Sequence, residues 1–271
     1  MLLILHCVIF LPSANATRVL KIDPRKETLE LIGPAFPGAQ KWFGGILASD
    51  GCIYGIPHNA SGVLKIDPST QSCTVLGDGK LQEGKWKWHG GLAIDEGRKI
   101  VGFPNNADEI LVVDVVQQKV FTVGDDKILQ SGHHRIPQDG RYKYLGGAVT
   151  NDGAFTYLFP CDAERVLRIN NRTLELALVG PRLLEGENKY QNGFVSTDGC
   201  LYGIPQRASG VLRIVPSKDL SCDEDVVDVL YCGDDMVHYK DKFEGGVIDL
   251  EGNMYCIPLR AKSLLKVIPR P

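Results

Sequence analysis

The chain has 271 residues, 44 % of them apolar and 23 % charged, with 30 glycines and 15 prolines. These proportions describe a globular chain with many turns and few long helices, long enough for two ordinary domains or one large all-β domain. A formal net charge of −3 with both signs scattered gives no electrostatic reason for a nucleic-acid or membrane partner, and no apolar run reaches the length of a membrane-spanning helix.

In chain order, the first ten residues are apolar, and Ala14-Asn15-Ala16 has the small-residue pattern of a signal-peptidase site. The same stretch also matches later segments of the chain. Cys7-Val8-Ile9-Phe10-Leu11-Pro12 aligns with Cys52-Ile53-Tyr54-Gly55-Ile56-Pro57, and Arg18-Val19-Leu20-Lys21-Ile22-Asp23-Pro24 aligns with Gly62-Val63-Leu64-Lys65-Ile66-Asp67-Pro68. A signal peptide has no reason to copy a strand, and the segment lacks an opening basic cluster, so it is expected to supply strands of a first repeat. If it is instead a signal peptide, the chain is secreted and closes as five repeats; otherwise an intracellular location is favoured.

From residue 41 onward one pattern recurs about every 45 to 56 residues. It opens on Lys-aromatic-x-Gly-Gly: Lys41-Trp42, Lys87-Trp88, Lys143-Tyr144 and Lys242-Phe243 each start a full copy, and Lys189-Tyr190-Gln191-Asn192-Gly193 is an altered one. A short apolar run follows, then a tight turn at Asp50-Gly51, Asp152-Gly153, Asp198-Gly199 or Glu251-Gly252. A second strand stops at Ile56-Pro57, Phe103-Pro104, Phe159-Pro160, Ile204-Pro205 or Ile257-Pro258, because proline cannot donate to a sheet ladder. The third strand alternates apolar and basic residues, as in Val166-Leu167-Arg168-Ile169, and a fourth such as Cys73-Thr74-Val75-Leu76 ends in Gly-Asp. Four short antiparallel strands per repeat with no helix between them predict an all-β β-propeller, one domain over residues 1–271. It has six blade equivalents, at about 1–40, 41–84, 85–140, 141–187, 188–240 and 241–271. The first is expected to lack its innermost strand and the last its outermost, a surplus of second and third strands that implies a truncated chain.

The consensus Asp-Gly-x-Ile-Tyr-Gly-Ile-Pro…Val-Leu-Lys-Ile-Asp-Pro-Ser-Thr resembles the repeats of kelch-like and NHL (YncE-like) propellers over essentially the whole chain. The resemblance implies architecture alone. Ile-Pro or Phe-Pro stands where kelch repeats close the second strand with a double glycine, and the Trp-Asp pair of WD repeats is absent, so no family's site residues carry over.

In a blade the entry to strand one and the loop between strands two and three lie on one face, and the Asp-Gly turns lie on the other. The first face is the expected binding surface. Its lysines, Lys41, Lys87, Lys143, Lys189 and Lys242, are expected either as a ring of positive charge for an anionic ligand or acidic protein segment, or as stems lying on the neighbouring aromatics and paired with Asp78 or Asp234. Trp42, Trp88, Tyr144, Tyr190 and Phe243 are expected either between blades or as a stacking surface. His58, Asn59, His89, Asn105, Gln206 and Arg207 complete the candidate site; the residue after each proline varies in chemistry, as a ligand-selected position would. For catalysis the candidates are His58, Asn59, His89, Asn105, Asn106 and Asp162, without a recognised motif; the adjacent His133 and His134 read as a solvated loop pair.

The favoured reading is therefore a binding propeller, a monomer without cofactor. The alternative is a lactonase- or lyase-like enzyme with a divalent cation in its channel. Cys7, Cys52 and Cys200 read as small buried apolar side chains, and no Cys-x-x-Cys pair occurs among the eight cysteines. Asn15, Asn59 and Asn171 begin glycosylation sequons that matter only if the chain is secreted.

Overall fold

The computed structural model describes residues 3–5, 8–124, 142–184, 186–217, 225–231, 233 and 240–269. The chain divides into two compact units, Met1–Asp125 and Asp126–Pro271. In the first, β1 (Leu3–Leu5), β2 (Val8–Leu11), β3 (Val19–Asp23) and β4 (Thr28–Ile32) form one antiparallel sheet. A second sheet comprises β5 (Trp42–Leu47), β6 (Ile53–Pro57), β7 (Val63–Asp67) and β8 (Ser72–Leu76), and a third β9 (Trp88–Ile94), β10 (Lys99–Pro104), β11 (Ile110–Asp114) and β12 (Lys119–Val123). The second unit repeats the plan with β13 (Tyr144–Val149), β14 (Phe155–Pro160), β15 (Val166–Asn170) and β16 (Leu176–Val179), then β17 (Tyr190–Val195), β18 (Leu201–Pro205), β19 (Gly210–Val215) and β20 (Val226–Tyr231). Its last sheet has three described strands, β21 (Phe243–Ile248), β22 (Met254–Pro258) and β23 (Leu265–Val267).

One expectation is corrected at the N-terminus. The first blade does have an innermost strand: Leu3, Ile4 and Leu5 pair with Phe10, Ile9 and Val8. It escaped the sequence search because it carries no Lys-aromatic-x-Gly-Gly entry.

Neighbouring blades pack face to face, so their central strands are apolar on both sides. In the first unit Phe10, Val19, Trp42, Ile53 and Leu64 join the first sheet to the second, and Tyr54, Ile56, Trp88, Ile100 and Leu111 join the second to the third. In the second unit Tyr157, Phe159, Val166, Tyr190 and Leu212 do the same work, as do Ile204, Val211, Phe243 and Met254. The described cysteines are free thiols, buried at Cys52, Cys73, Cys161 and Cys256 and half-buried at Cys200. Cys7 lies outside the described residues.

The repeated motif residues have local reasons. In β5 the register shifts between Phe43 and Gly45, and Gly44 sits there at a left-handed φ of 77°. In this copy the first glycine of the pair is thus a β-bulge, a place for glycine or asparagine, and Asn192 takes it at φ 62° in the altered copy; in β13 the register shifts one residue earlier, between Tyr144 and Gly146. At the opposite turn, Asp50 does more than favour a hairpin. Its Oδ1 accepts the Cys52 N–H at 3.1 Å and its Oδ2 accepts the Tyr54 hydroxyl at 2.8 Å; Asp198 repeats both bonds with Cys200 and Tyr202 at 2.9 and 2.7 Å.

Candidate functional site

Each residue before a motif lysine is left-handed without being glycine: Gln40, Trp86, Tyr142, Asn188 and Asp241 have φ between 49° and 63°. Such a conformation is retained where surrounding bonds hold it. Here the lysine that follows ties one blade to the next through its own peptide. Lys41 N–H donates to the Ala14 carbonyl at 3.0 Å, and the Lys41 carbonyl accepts from His58 N–H at 2.8 Å. His58 O accepts from Lys87 N–H at 2.9 Å, and Lys87 O accepts from Asn105 N–H at 2.8 Å. The second unit carries its own belt, from Lys143 O through Cys161, Lys189, Gln206 and Lys242 to Leu259. The residue after each strand-ending proline, or the next one in the first blade, is therefore a link of a hydrogen-bonded belt.

This arrangement overturns the expected ring of presented charge. Lys41, Lys87, Lys143, Lys189 and Lys242 are at most 4 % exposed. The Lys41 ammonium donates to the carbonyls of Ala14, Ala16 and Gly38 at 3.0, 2.9 and 3.0 Å, which uses all three of its protons. Lys87 reaches the Ala60 carbonyl at 2.7 Å and Lys189 the Gly186 carbonyl at 3.1 Å. Burial holds the Lys41 and Lys87 ammonium groups below the usual lysine range. Of the alternative, the aromatic half is seen: Lys41 and Lys87 lie 5.9 and 5.8 Å from the Trp42 and Trp88 ring centroids. At Lys41 and Lys87 main-chain carbonyls stand in place of an aspartate, and Asp78 accepts from the Ser61 hydroxyl instead. Asp234 lies outside the described residues.

The motif aromatics are likewise no stacking surface. Trp42, Trp88, Tyr144, Tyr190 and Phe243 are buried. Trp42 and Trp88 donate their indole N–H to the carbonyls of Gly62 and Glu109 at 2.9 and 2.8 Å, and Tyr144 its hydroxyl to Arg165 O at 3.1 Å. Each bond fixes the start of strand three from strand one of the same blade.

What the belt leaves open are side chains beside the prolines. Among the described residues, the buried Ser13 Oγ, His58 Nε2 and both amide atoms of Asn105 have no hydrogen-bond partner in the first unit; in the second the same holds for Gln206 Oε1. Asn105 is wholly buried and His58 nearly so, at 8 % exposure. Around His58 the rings gather: Trp86 lies parallel at 5.8 Å, His89 edge-on at 5.7 Å and Phe43 at 5.9 Å, with Phe43 stacked on His89 at 3.7 Å. Phe43 is 45 % exposed. Burial, and to a lesser extent the Lys87 charge, push the His58 imidazole down to about 4; burial and then His58 do the same to His89. Both imidazoles are neutral at pH 7.

No family model and no curated protein sequence matches the chain. Solved structures do. Virginiamycin B lyase from Staphylococcus aureus superposes with a TM-score of 0.67 at 10 % identity, over 100 % of this chain and 84 % of that one. A streptogramin B lyase gives 0.65 at 12 % identity, over 95 % and 75 %. The extracellular domain of the B. thetaiotaomicron hybrid two component system BT3049 gives 0.60 at 9 % identity, over 95 % of this chain and 31 % of that one. The chain has a β-propeller fold. Likeness at these identities carries the fold and nothing of the chemistry.

The propeller gathers some of the sequence candidates and disperses others. His58, His89 and Asn59 meet in the first unit, where Asn59 Oδ1 accepts the Trp86 N–H at 2.8 Å and Nδ2 donates to Ala39 O at 3.2 Å. Asn105 lies one belt step from His58. In the second unit Arg207 is paired with Asp241 at 2.8 Å, and Asp162 Oδ1 accepts the Asn188 N–H at 2.7 Å. Asn106 donates to Lys85 O at 3.3 Å. His133 and His134 lie outside the described residues. Among the described residues no three His, Cys, Asp or Glu side chains gather as a metal site. The Asn171 sequon is structural in the folded chain: its amide is buried, accepting from the Thr156 hydroxyl at 2.7 Å and donating to Gly153 O at 2.8 Å. Sequence reasoning missed Phe43, Trp86 and Ser13. The available signal was that the variable motif position holds rings in two successive copies, Phe43 and His89.

Proposed function

We propose that this propeller is a ligand-binding module whose site lies on the loop face of its first unit, around His58, His89 and Asn105. The observation that carries the reading is the row of buried polar atoms without partners at successive post-proline positions. Leaving a buried donor or acceptor unpaired costs about 1–3 kcal/mol, and sites that spend stability in this way are characteristic of function. Because the motif lysines are buried, we take a small ligand rather than an acidic protein segment as the partner class.

Two isosteric replacements test this. His58→Phe and Asn105→Leu keep ring or branch volume and remove the unpaired atoms. Each is expected to raise stability by about 1–2 kcal/mol in urea unfolding. A loss of stability in both would show that these atoms are internally satisfied and would remove the basis for the site. Metal analysis addresses the enzyme alternative: the expected result is less than one divalent ion per chain, and a stoichiometric ion surviving dialysis would favour metal-assisted hydrolysis or elimination.

A further inference from the structure

Resting on that site, we infer that its ligand is an uncharged planar molecule carrying a carboxamide or cyclic amide, stacked against the Phe43–His89 rings and hydrogen-bonded by His58 and Asn105. Three observations converge. The unpartnered atoms in this unit are uncharged by residue type or by environment: a hydroxyl, an imidazole nitrogen and a primary amide. The nearby formal charge, the Lys87 ammonium, is at 2 % exposure and bonded to Ala60 O. An ammonium ligand would face Lys87 as a like charge, and a carboxylate would give up its water for one buried ammonium that already donates to Ala60 O.

The amide of Asn105 offers a donor and an acceptor side by side, and the group that satisfies both at once is another amide edge with its own N–H and C=O adjacent. Leaving such a pair unfilled is penalised more heavily than losing apolar contact, so the amide edge sets selectivity. The rings supply the second half. Phe43, Trp86 and His89 retain exposed surface around the nearly buried His58, and aromatic faces favour flat partners over branched ones.

The test uses the full chain and three probes of equal ring size: benzamide, benzoate and benzylamine. Binding is followed by titration of the histidine ring protons in NMR spectra, and repeated with His58→Phe and Asn105→Leu once thermal unfolding has shown both to be folded. Benzamide is expected to bind at least tenfold more tightly than either charged probe, and each variant to weaken it at least tenfold. Benzoate or benzylamine binding as well as benzamide, with loss in the variants, overturns the amide assignment and leaves the site standing. Benzamide binding unchanged in both variants overturns both. If none of the three binds, the amide assignment fails, and the site itself is judged on the urea unfolding of the same two variants.

Discussion

Replacing Lys41 with methionine is expected to destabilise the chain by about 3 kcal/mol, lowering its melting temperature by roughly 6–12 °C. Methionine keeps most of the stem that packs beside Trp42 and removes only the ammonium. The carbonyls of Ala16 and Gly38 then lose this donor together, while that of Ala14 keeps the Lys41 N–H. Ala16 belongs to the loop of the first blade and Gly38 to the entry of the second, so the loss falls on the join between blades. Each carbonyl left unpaired costs about 1–3 kcal/mol when water cannot reach it. Lys41 lines a groove of about 950 Å³ with Phe36, Trp42 and Asn59, so partial rehydration holds the total near the lower end of that sum. Lys41→Glu is expected to be worse, since a carboxylate would face the same carbonyl oxygens. Lys87→Met, where Ala60 O is the bonded carbonyl, is expected to cost less than Lys41→Met. Thermal and urea unfolding of the variants decide the matter. If Lys41→Met melts within a degree of the parent, the lysines do not staple one blade to the next.

That staple also explains what the sequence could and could not disclose. Strand endings were legible because proline and Asp-Gly act through their own covalent geometry, and the four-strand period followed from them. The burial of the lysines was not legible. Lys41 and Lys87 bond to carbonyls, which every residue type supplies, so nothing at Ala14, Ala16, Gly38 or Ala60 marks those positions as acceptors. A side-chain partner such as Asp78 was the natural expectation because only side chains leave a trace in sequence. The variable post-proline residues stand out in the sequence, yet which of them stay unpaired depends on the belt, a property of neighbouring blades rather than of any one segment. Phe43 and Trp86 were passed over as spacers between motif residues. They matter because the bulge at Gly44 and the left-handed Trp86 turn them toward His58, and those two backbone choices are visible only in three dimensions.

Asp162→Asn is expected to stabilise the chain by about 3 kcal/mol at pH 7.5, by about half of that at pH 5, and hardly at all below pH 4. Asp162 holds the place that Asn15 and Asn59 hold in earlier blades. Asn15 Oδ1 accepts the Gln40 N–H at 2.8 Å, Asn59 Oδ1 the Trp86 N–H at 2.8 Å, and Asp162 Oδ1 the Asn188 N–H at 2.7 Å. The bond needs an acceptor and no charge, which asparagine supplies in two of the three cases. Burial raises the Asp162 carboxyl to about 6, against an ordinary 3.8, even though the Asn188 N–H and the Lys189 charge pull it down. The folded chain therefore keeps a proton that the unfolded chain has released, and ionisation opposes folding. Its contribution to stability is complete below pH 3.8, falls as pH rises toward 6, and above that leaves the full cost of a buried carboxylate. Asparagine carries no such cost at any pH and preserves the latch, so the gap between variant and parent should open over that interval and then stay level. Urea unfolding at pH 4, 5, 6 and 7.5 measures it. A gap independent of pH would mean that the carboxyl titrates as in water and that the Asn188 latch holds the ionised form without penalty.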